Sequence, residues 1–169
     1  MKARTRFVSA VAAAMVLGSG ATASAQGDPR IFQPNDPFDL PAGYCAFPVH
    51  VDPVASNEYI DHQWTNPDGS VTTISTGRLV LQVTNTATGN TITVNASGPL
   101  KITIYPDGSA AGTPLGPFFH WFDATDQQRF GVPGLALFTG RVTATIDPAG
   151  AITSFSNVGH VTDLCAALS

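Results

Sequence analysis

Histidines are the first side chains to consider, because they bind metals and exchange protons near neutral pH. A zinc site needs three or four ligands that converge on one point. His50 and Asp52 share one face of a predicted strand and form a candidate surface pair, whereas Asp61 and His62 are neighbours that point to opposite faces. The chain contains four histidines, His50, His62, His120 and His160. Their spacing predicts no metal site, and we predict no cofactor.

A possible acid–base group follows an aromatic run, where His120 is succeeded by Asp123 and Asp126. A histidine and paired carboxylates are groups that hydrolases use for proton transfer. The alternative is a solvated turn in which Asp123 accepts backbone hydrogen bonds. The chain lacks the Gly-x-Ser-x-Gly motif of serine hydrolases. The sequence therefore favours a protein without catalysis, and a small extracellular hydrolase at these three residues is an alternative prediction.

Aromatic side chains are densest in the run Phe118-Phe119-His120-Trp121-Phe122. With Trp64 and Tyr59, this run is a candidate lining for a cleft that binds a sugar ring or an apolar ligand. Packing in the core is the favoured interpretation, because large aromatic side chains dominate protein cores. The candidate ligand-binding residues are Trp64, His120 and Trp121.

The element that must position these residues is a sheet, and its clearest signal lies in residues 78–105. Apolar and polar residues alternate strictly in three runs, residues 79–84, 91–96 and 100–105. This alternation is typical of antiparallel strands with one buried face. Short Gly-containing segments separate the runs, and we predict a three-stranded meander.

Further strands are predicted on both sides of this meander. Residues 110–117 are rich in Gly and Pro and predict a loop, and residues 123–133 predict an irregular segment. The predicted strands cover residues 44–52, 58–65, 71–75, 118–122, 135–146 and 151–155, the run 118–122 being buried on both faces. Eight or nine short strands without an amphipathic helix predict an all-β domain, either an antiparallel sandwich or a small closed barrel.

The N-terminal residues have the composition of a secretory signal peptide. Lys2, Arg4 and Arg6 precede an apolar run that ends at Leu17, and Ala23-Ser24-Ala25 fits a signal-peptidase site. We predict cleavage after Ala25 and secretion. Residues 26–40 contain three Asp-Pro or Gln-Pro pairs and predict an extended arm outside the sheet, followed by the β-domain at residues 41–169.

Charge and cysteine content constrain the compartment and the partners. Without residues 1–25, five Lys and Arg remain against twelve Asp and Glu, a net charge of −7 with His neutral. An acidic chain is a poor partner for nucleic acid or anionic membranes, and no second apolar segment is long enough to span a bilayer. Cys45 and Cys165 are the only cysteines. In an oxidising compartment we predict that they form one disulfide bond.

Two segments support a family resemblance. The segment Ala42-Gly43-Tyr44-Cys45-Ala46-Phe47-Pro48-Val49 and the segment Asp163-Leu164-Cys165-Ala166-Ala167-Leu168 flank most of the mature chain. The chain resembles uncharacterised small secreted proteins of actinobacteria, in which a Cys-x-Phe-x-Val strand opens the domain and an Asp-Leu-Cys segment closes it. The resemblance implies a structural framework and brings no catalytic residues.

The sequence thus favours a secreted β-domain that binds an extracellular partner or a small ligand without catalysis. The hydrolase described above is one alternative, and a lipocalin-like carrier of an apolar ligand is another. An inward-facing polar cluster would favour the enzyme, exposed Trp and Tyr side chains would favour sugar binding, and a dry cavity would favour the carrier.

Overall fold

Two long hairpins form the frame of the fold. The computed structural model describes residues 30–169, in which ten strands and two short helices occur. In chain order they are β1 (Ile31–Gln33), β2 (Phe38–Leu40), β3 (Val49–Thr65), β4 (Val71–Asn85), β5 (Thr91–Asn95), β6 (Leu100–Ile104), β7 (Ala110–Pro114), β8 (Phe118–Trp121), α1 (Ala124–Phe130), β9 (Leu135–Ile146), β10 (Ile152–Asp163) and α2 (Leu164–Ala167).

The turns of both hairpins lie between strands that the sequence predicts, in two segments whose Pro, Asp and Gly residues favour a reversal. Asn66-Pro67-Asp68-Gly69 joins β3 to β4, with Gly69 at a positive φ of 82°. Asp147-Pro148-Ala149-Gly150 joins β9 to β10, and the Asp147 carboxylate accepts hydrogen bonds from two backbone amides of that turn. These short reversals fix the register of the long strands.

All ten strands belong to one antiparallel sheet that is not closed, which confirms the all-β, antiparallel prediction. The main path runs β1-β3-β4-β6-β7-β9-β10, so that the short β6–β7 hairpin bridges the two long ones. The predicted meander is wrong. β5 pairs with residues 80–84 of β4 and β6 with residues 71–75, so both lie on β4 and do not pair with each other.

Several predicted strands merge into longer ones. The strand predicted at residues 44–52 begins at Val49, because residues 41–48 form turns and bends, and it continues without interruption to Thr65. Strand β4 likewise passes through Gly77, where a Cβ atom would lie 2.2 Å from the Asn57 carbonyl oxygen. Only glycine permits this close approach of β4 to β3. The predicted strand 151–155 extends to Asp163.

The predicted arm at residues 26–40 is wrong for its described part. Residues 31–33 and 38–40 form strands β1 and β2, and both pair with β3. Pro34 and Pro37 lie in the connection between them, where their missing N–H groups remove no ladder hydrogen bond. Pro34 and Pro37 therefore mark the connection between β1 and β2, and they do not exclude the rest of residues 30–40 from the sheet.

Two segments that were predicted to be irregular are regular. Residues 110–114 form β7, a strand of small residues that pairs with β6 on one side and with β9 on the other. Residues 124–130 form α1, which begins at the N-cap Asp123 and ends at Gly131 with φ 64°. The strand predicted at residues 118–122 ends at Trp121 and is not buried on both faces: Phe119 is buried, but its neighbours in β8 are half-buried.

Buried apolar side chains form two clusters on opposite faces of β9. The first cluster joins β3, β4 and β5 to β8, β9 and α2, with Val51, Val83 and Leu135 completely buried. The second cluster contains Phe122 and Phe138, and packs against β10 and α1. Because Leu135 and Ala136 are neighbours in β9, their side chains enter different clusters.

Cys45 and Cys165 form the predicted disulfide bond, with Cα atoms 5.4 Å apart. The bond attaches α2 to the segment that precedes β3, and Leu164 and Leu168 pack in the first cluster beside it. Within residues 30–169, no helix is long and apolar enough to cross a membrane. The predicted signal peptide and its cleavage site after Ala25 lie outside the described residues.

Candidate ligand-binding cavities

A cavity of about 230 Å³, here called the first cavity, is open to solvent. Its floor is the first core cluster. Its wall is mainly apolar, formed by Phe38, Pro53, Leu79, Leu81, Ala96, Gly98, Leu100, Phe118, Phe119 and Trp121, and three polar residues, Asn35, Asp36 and Glu58, complete it. A cavity of this kind, apolar with a few polar groups, is the usual form of a small-molecule site.

Aromatic side chains form one side of the first cavity. Phe119 and Trp121 alternate with His120 along β8, so that both face β4 across the cavity. Phe38 of β2 packs against Trp121, with ring centroids 5.0 Å apart and planes tilted by 44°. The register that pairs Phe38 with the buried Val51 turns the Phe38 ring towards the same interior. Two separate parts of the chain therefore form one aromatic wall.

Three polar residues complete the lining of the first cavity, Asn35 and Asp36 on the connection between β1 and β2 and Glu58 on β3. The part of the cavity that they line is called its mouth, because Asp36 is exposed to solvent. The amide of Asn35 donates hydrogen bonds to Ser56 Oγ (3.0 Å) and Glu58 Oε2 (2.9 Å). These bonds hold the connection against β3 and fix the Glu58 carboxylate, which is half-buried. Asp36, the next residue, is exposed. Among residues 30–169, neither the Asp36 nor the Glu58 carboxylate lies within 4.0 Å of a Lys, Arg or His nitrogen.

A second cavity of about 130 Å³ lies on the other side of β8. Leu100 and Phe118 line both cavities, and His120 is the one polar side chain among the described residues that line the second. The imidazole packs edge-on against Phe122, with centroids 4.8 Å apart. Burial lowers the pKa of His120 to about 4, so the ring is neutral at physiological pH.

The side chains of the acid–base group predicted from the sequence are not hydrogen-bonded to one another within residues 30–169. The Asp123 carboxylate accepts hydrogen bonds from the backbone amides of Thr125 and Asp126, both at 2.9 Å, and thereby caps α1. Partial burial, and then the nearby Asp123 charge, raise the pKa of Asp126. In the described part of the chain, residues 30–169, no hydrogen bond joins the His120 ring to the carboxylate of Asp123 or Asp126, and the Asp123 carboxylate is bonded to backbone amides. The hydrolase therefore stays a prediction without a geometric basis.

The aromatic residues of the predicted cleft are dispersed. His120 and Trp121 are neighbours that line different cavities. Trp64 lies near the end of β3, is 41% exposed and donates a hydrogen bond to Asn66 Oδ1 (2.9 Å). Tyr59 contacts Phe32 and lies under the Arg30 guanidinium, 4.4 Å from Arg30 Cζ to the ring centroid. Of the three predicted ligand-binding residues, only Trp121 lines the first cavity.

His50 forms a surface pair, but not with the predicted partner. His50 Nδ1 lies 2.8 Å from Asp39 Oδ1, because the β2–β3 register places Asp39 directly opposite His50. The predicted pair of His50 with Asp52 is wrong. Its actual partner, Asp39, lies on β2, a strand that the sequence analysis did not predict. No group of three His, Cys, Asp or Glu side chains suitable for a metal ion occurs within residues 30–169.

The sequence did not identify most residues of the first cavity. Phe38, Asn35 and Glu58 come from segments that were assigned to an arm or to a plain strand, and they meet only because β2 pairs with β3. The local signal for β2 is only Phe38 and Leu40 on either side of Asp39, which is too short a pattern to predict a strand. Leu79 and Leu81 were correctly predicted to face the interior.

Comparison with family models, with curated proteins and with solved structures finds no match to this chain. The resemblance to secreted actinobacterial proteins therefore stays a prediction. The two cavities are the features from which a function is proposed below.

Proposed function

We propose that this protein is a secreted, non-catalytic module that binds a small apolar ligand in the first cavity. The observation that carries the proposal is a solvent-accessible apolar cavity of about 230 Å³ with the aromatic wall of Phe38, Phe119 and Trp121. A dry apolar cavity of about 150 Å³ is sufficient for benzene, so one aromatic ring with a short tail is the expected ligand size. Secretion agrees with the Cys45–Cys165 disulfide, which forms in oxidising compartments.

The carrier hypothesis gains support over the sugar-binding and hydrolase hypotheses. A sugar site needs an aromatic platform with several polar groups around it, whereas most of the residues lining the first cavity are apolar. The exposed Trp64 lies away from Tyr59 and from both cavities. The side chains of His120, Asp123 and Asp126 have structural surroundings that explain them without catalysis.

The two tryptophans provide the test, because only Trp121 lines a cavity. In Trp64→Phe protein, the fluorescence reports on Trp121 alone, and in Trp121→Phe protein it reports on Trp64 alone. We expect 2-phenylethanol to change the Trp121 emission saturably and to leave the Trp64 emission unchanged. A saturable change at Trp64 only, or none at either residue, would contradict the proposal.

A matched pair of substitutions separates cavity binding from general effects. Ala96 is 7% exposed and lines the first cavity, whereas Ala87 is exposed in the turn after β4. Ala96→Leu adds three carbon atoms to the cavity wall, and we expect it to weaken 2-phenylethanol binding at least about tenfold by occupying the site. Ala87→Leu makes the same chemical change and should leave the affinity unchanged. Thermal melts verify that both variants are folded.

A further inference from the structure

From the mouth of the first cavity we infer that the ligand carries a cationic group, an amine or ammonium joined to an apolar body. This inference rests on the proposed function and specifies its ligand class. The apolar body would occupy the space between Leu81 and Trp121, and the cation would lie at the mouth beside Asp36 and Glu58.

The carboxylates are placed for an incoming charge. Asp36 and Glu58 both line the cavity; Asp36 follows Asn35 in the sequence, and Glu58 accepts a hydrogen bond from the Asn35 amide. No Lys, Arg or His is among the residues that line it. Two carboxylates outside the cavity form ion pairs: Asp39 with His50, and Asp61 with Arg30. The carboxylates at the mouth therefore retain their negative potential for a ligand.

The aromatic wall supplies the second kind of contact that a cation requires. Phe38 lies two residues after Asp36, and its ring packs on Trp121. The faces of aromatic rings attract ammonium groups, and Trp is the strongest of the aromatic side chains in this respect. Aromatic side chains are the groups with which proteins recognise alkylammonium ions in aromatic cages. A ligand with a carboxylate in the same position would meet repulsion from Asp36 and Glu58.

Fixation of the mouth reduces the cost of binding. Asn35 bonds both Ser56 and Glu58, so the Glu58 carboxylate is held in place before any ligand arrives. A side chain that is already ordered loses less conformational entropy when it binds. The overall charge of −7 for residues 26–169 further favours the approach of a cation over that of an anion.

The experiment compares three probes with the same body in Trp64→Phe protein: 2-phenylethylamine, 2-phenylethanol and 3-phenylpropionate. We expect the amine to bind about fivefold tighter than the alcohol at low salt, and the carboxylate to bind weakest. Added salt should reduce the advantage of the amine, because partly exposed charges are screened. The emission of Trp121 reports binding in each titration.

Neutral isosteres of the two carboxylates test whether Asp36 and Glu58 cause the preference for the amine over the alcohol. Glu58→Gln retains an acceptor for Asn35, and Asp36→Asn removes the other charge. The double variant should bind the amine no tighter than the alcohol. Asp52→Asn is the matched control. Asp52 precedes the lining residue Pro53 and therefore points to the other face of β3, so its loss should retain the amine preference.

The outcomes distinguish this inference from the proposed function. Equal affinity for amine and alcohol in the parent protein, or tightest binding of the carboxylate, would overturn the cationic ligand and leave the cavity as an apolar site. An amine preference that survives in the Asp36→Asn/Glu58→Gln protein would also overturn it. Absence of any saturable signal from all three probes would overturn the proposed function and this inference together.

Discussion

The same strands enclose a fully packed core at one end and an open cavity further along. Val51 of β3 and Val83 of β4 are 0% exposed, and they pack in one cluster with Leu168 of the C-terminal segment, which is also 0% exposed. Leu81 and Leu79 follow along β4 towards its start, and they face the first cavity. Apolar side chains are therefore packed against other side chains on all sides in one region, and border an open cavity in the next.

The difference lies in what covers the sheet. At the packed end, the disulfide attaches α2, and the Asn85 amide donates a hydrogen bond to the Leu168 carbonyl oxygen (3.1 Å). At the cavity, the cover consists of β8 and the β1–β2 connection, which Asn35 holds by two side-chain hydrogen bonds. The sheet is therefore closely packed at the end that carries the disulfide, whereas an apolar surface stays accessible beneath β8 and the β1–β2 connection.

Removal of the disulfide tests the packed end most strongly. The bond closes a loop with a sequence separation of 120, and the chain-entropy model assigns about 4–5 kcal/mol to a loop of this size. We expect Cys45→Ala/Cys165→Ala to lower the free energy of unfolding by about 4 kcal/mol in urea titrations. A loss below about 1 kcal/mol would show that α2 is held by its side chains alone.

A pair of leucine substitutions compares the two regions directly. Leu168→Ala creates a void in packed surroundings, and we expect a loss of about 3 kcal/mol of unfolding free energy. Leu79→Ala removes the same atoms from the half-buried wall of the first cavity, where less contact is lost, and we expect about 1 kcal/mol. Equal losses in urea titrations would contradict the difference between the regions.

Trp121 tests the wall of the cavity. Replacement of a tryptophan packed in the core with Ala lowers the free energy of unfolding by about 3–5 kcal/mol. Trp121 is half-buried beside the first cavity, so we expect Trp121→Ala to cost only about 1–2 kcal/mol and to abolish ligand binding. Thermal melts and calorimetric titrations measure the two effects. A cost above about 3 kcal/mol would assign Trp121 to the packed core.

The smallest expected effect concerns His120 at the second cavity. Its folded pKa of about 4 lies below the ordinary value of 6.5, so the unfolded chain binds the proton first as the pH falls. The stabilisation is complete above pH 6.5 and decreases as the pH falls towards 4. Because the ring retains some solvent contact, we expect a loss of about 1 kcal/mol between pH 7 and pH 5.

The same histidine-to-phenylalanine change at two positions isolates this contribution. His120→Phe should remove that part of the pH dependence in urea titrations. His62→Phe, at an exposed position, should retain it because His120 is still present. An unchanged pH dependence in the His120→Phe protein would contradict the burial of a neutral imidazole.

The parts of the fold that were predictable are those whose signal is local. Alternation identified the inner faces of β4, β5 and β6, and turn residues identified the two long hairpins. Pairing was not predictable in the same way, because nothing local indicates that β5 and β6 share β4. The disulfide was predictable, since the chain has only two cysteines.

The candidate site was mostly not predictable, because its residues meet through long-range pairing. Trp121 was identified as aromatic, yet its partner Phe38 lies 83 positions earlier in a segment with three Xaa-Pro pairs. Short strands such as β2 have too few residues for a periodic pattern to emerge above the prolines. Asp123 follows His120 closely in the sequence, but its carboxylate caps α1 and, within residues 30–169, makes no hydrogen bond to the His120 ring.

Isotope-filtered NMR gives the most direct test of the central claim, which is that the first cavity binds a small apolar molecule. With unlabelled 2-phenylethylamine on labelled protein, we predict nuclear Overhauser contacts from the phenyl ring to Phe38, Leu81 and Trp121. The methylene group next to nitrogen should lie closest to Glu58. Contacts restricted to the exposed Trp64 surface, or the absence of any contact at saturating probe, would contradict the account.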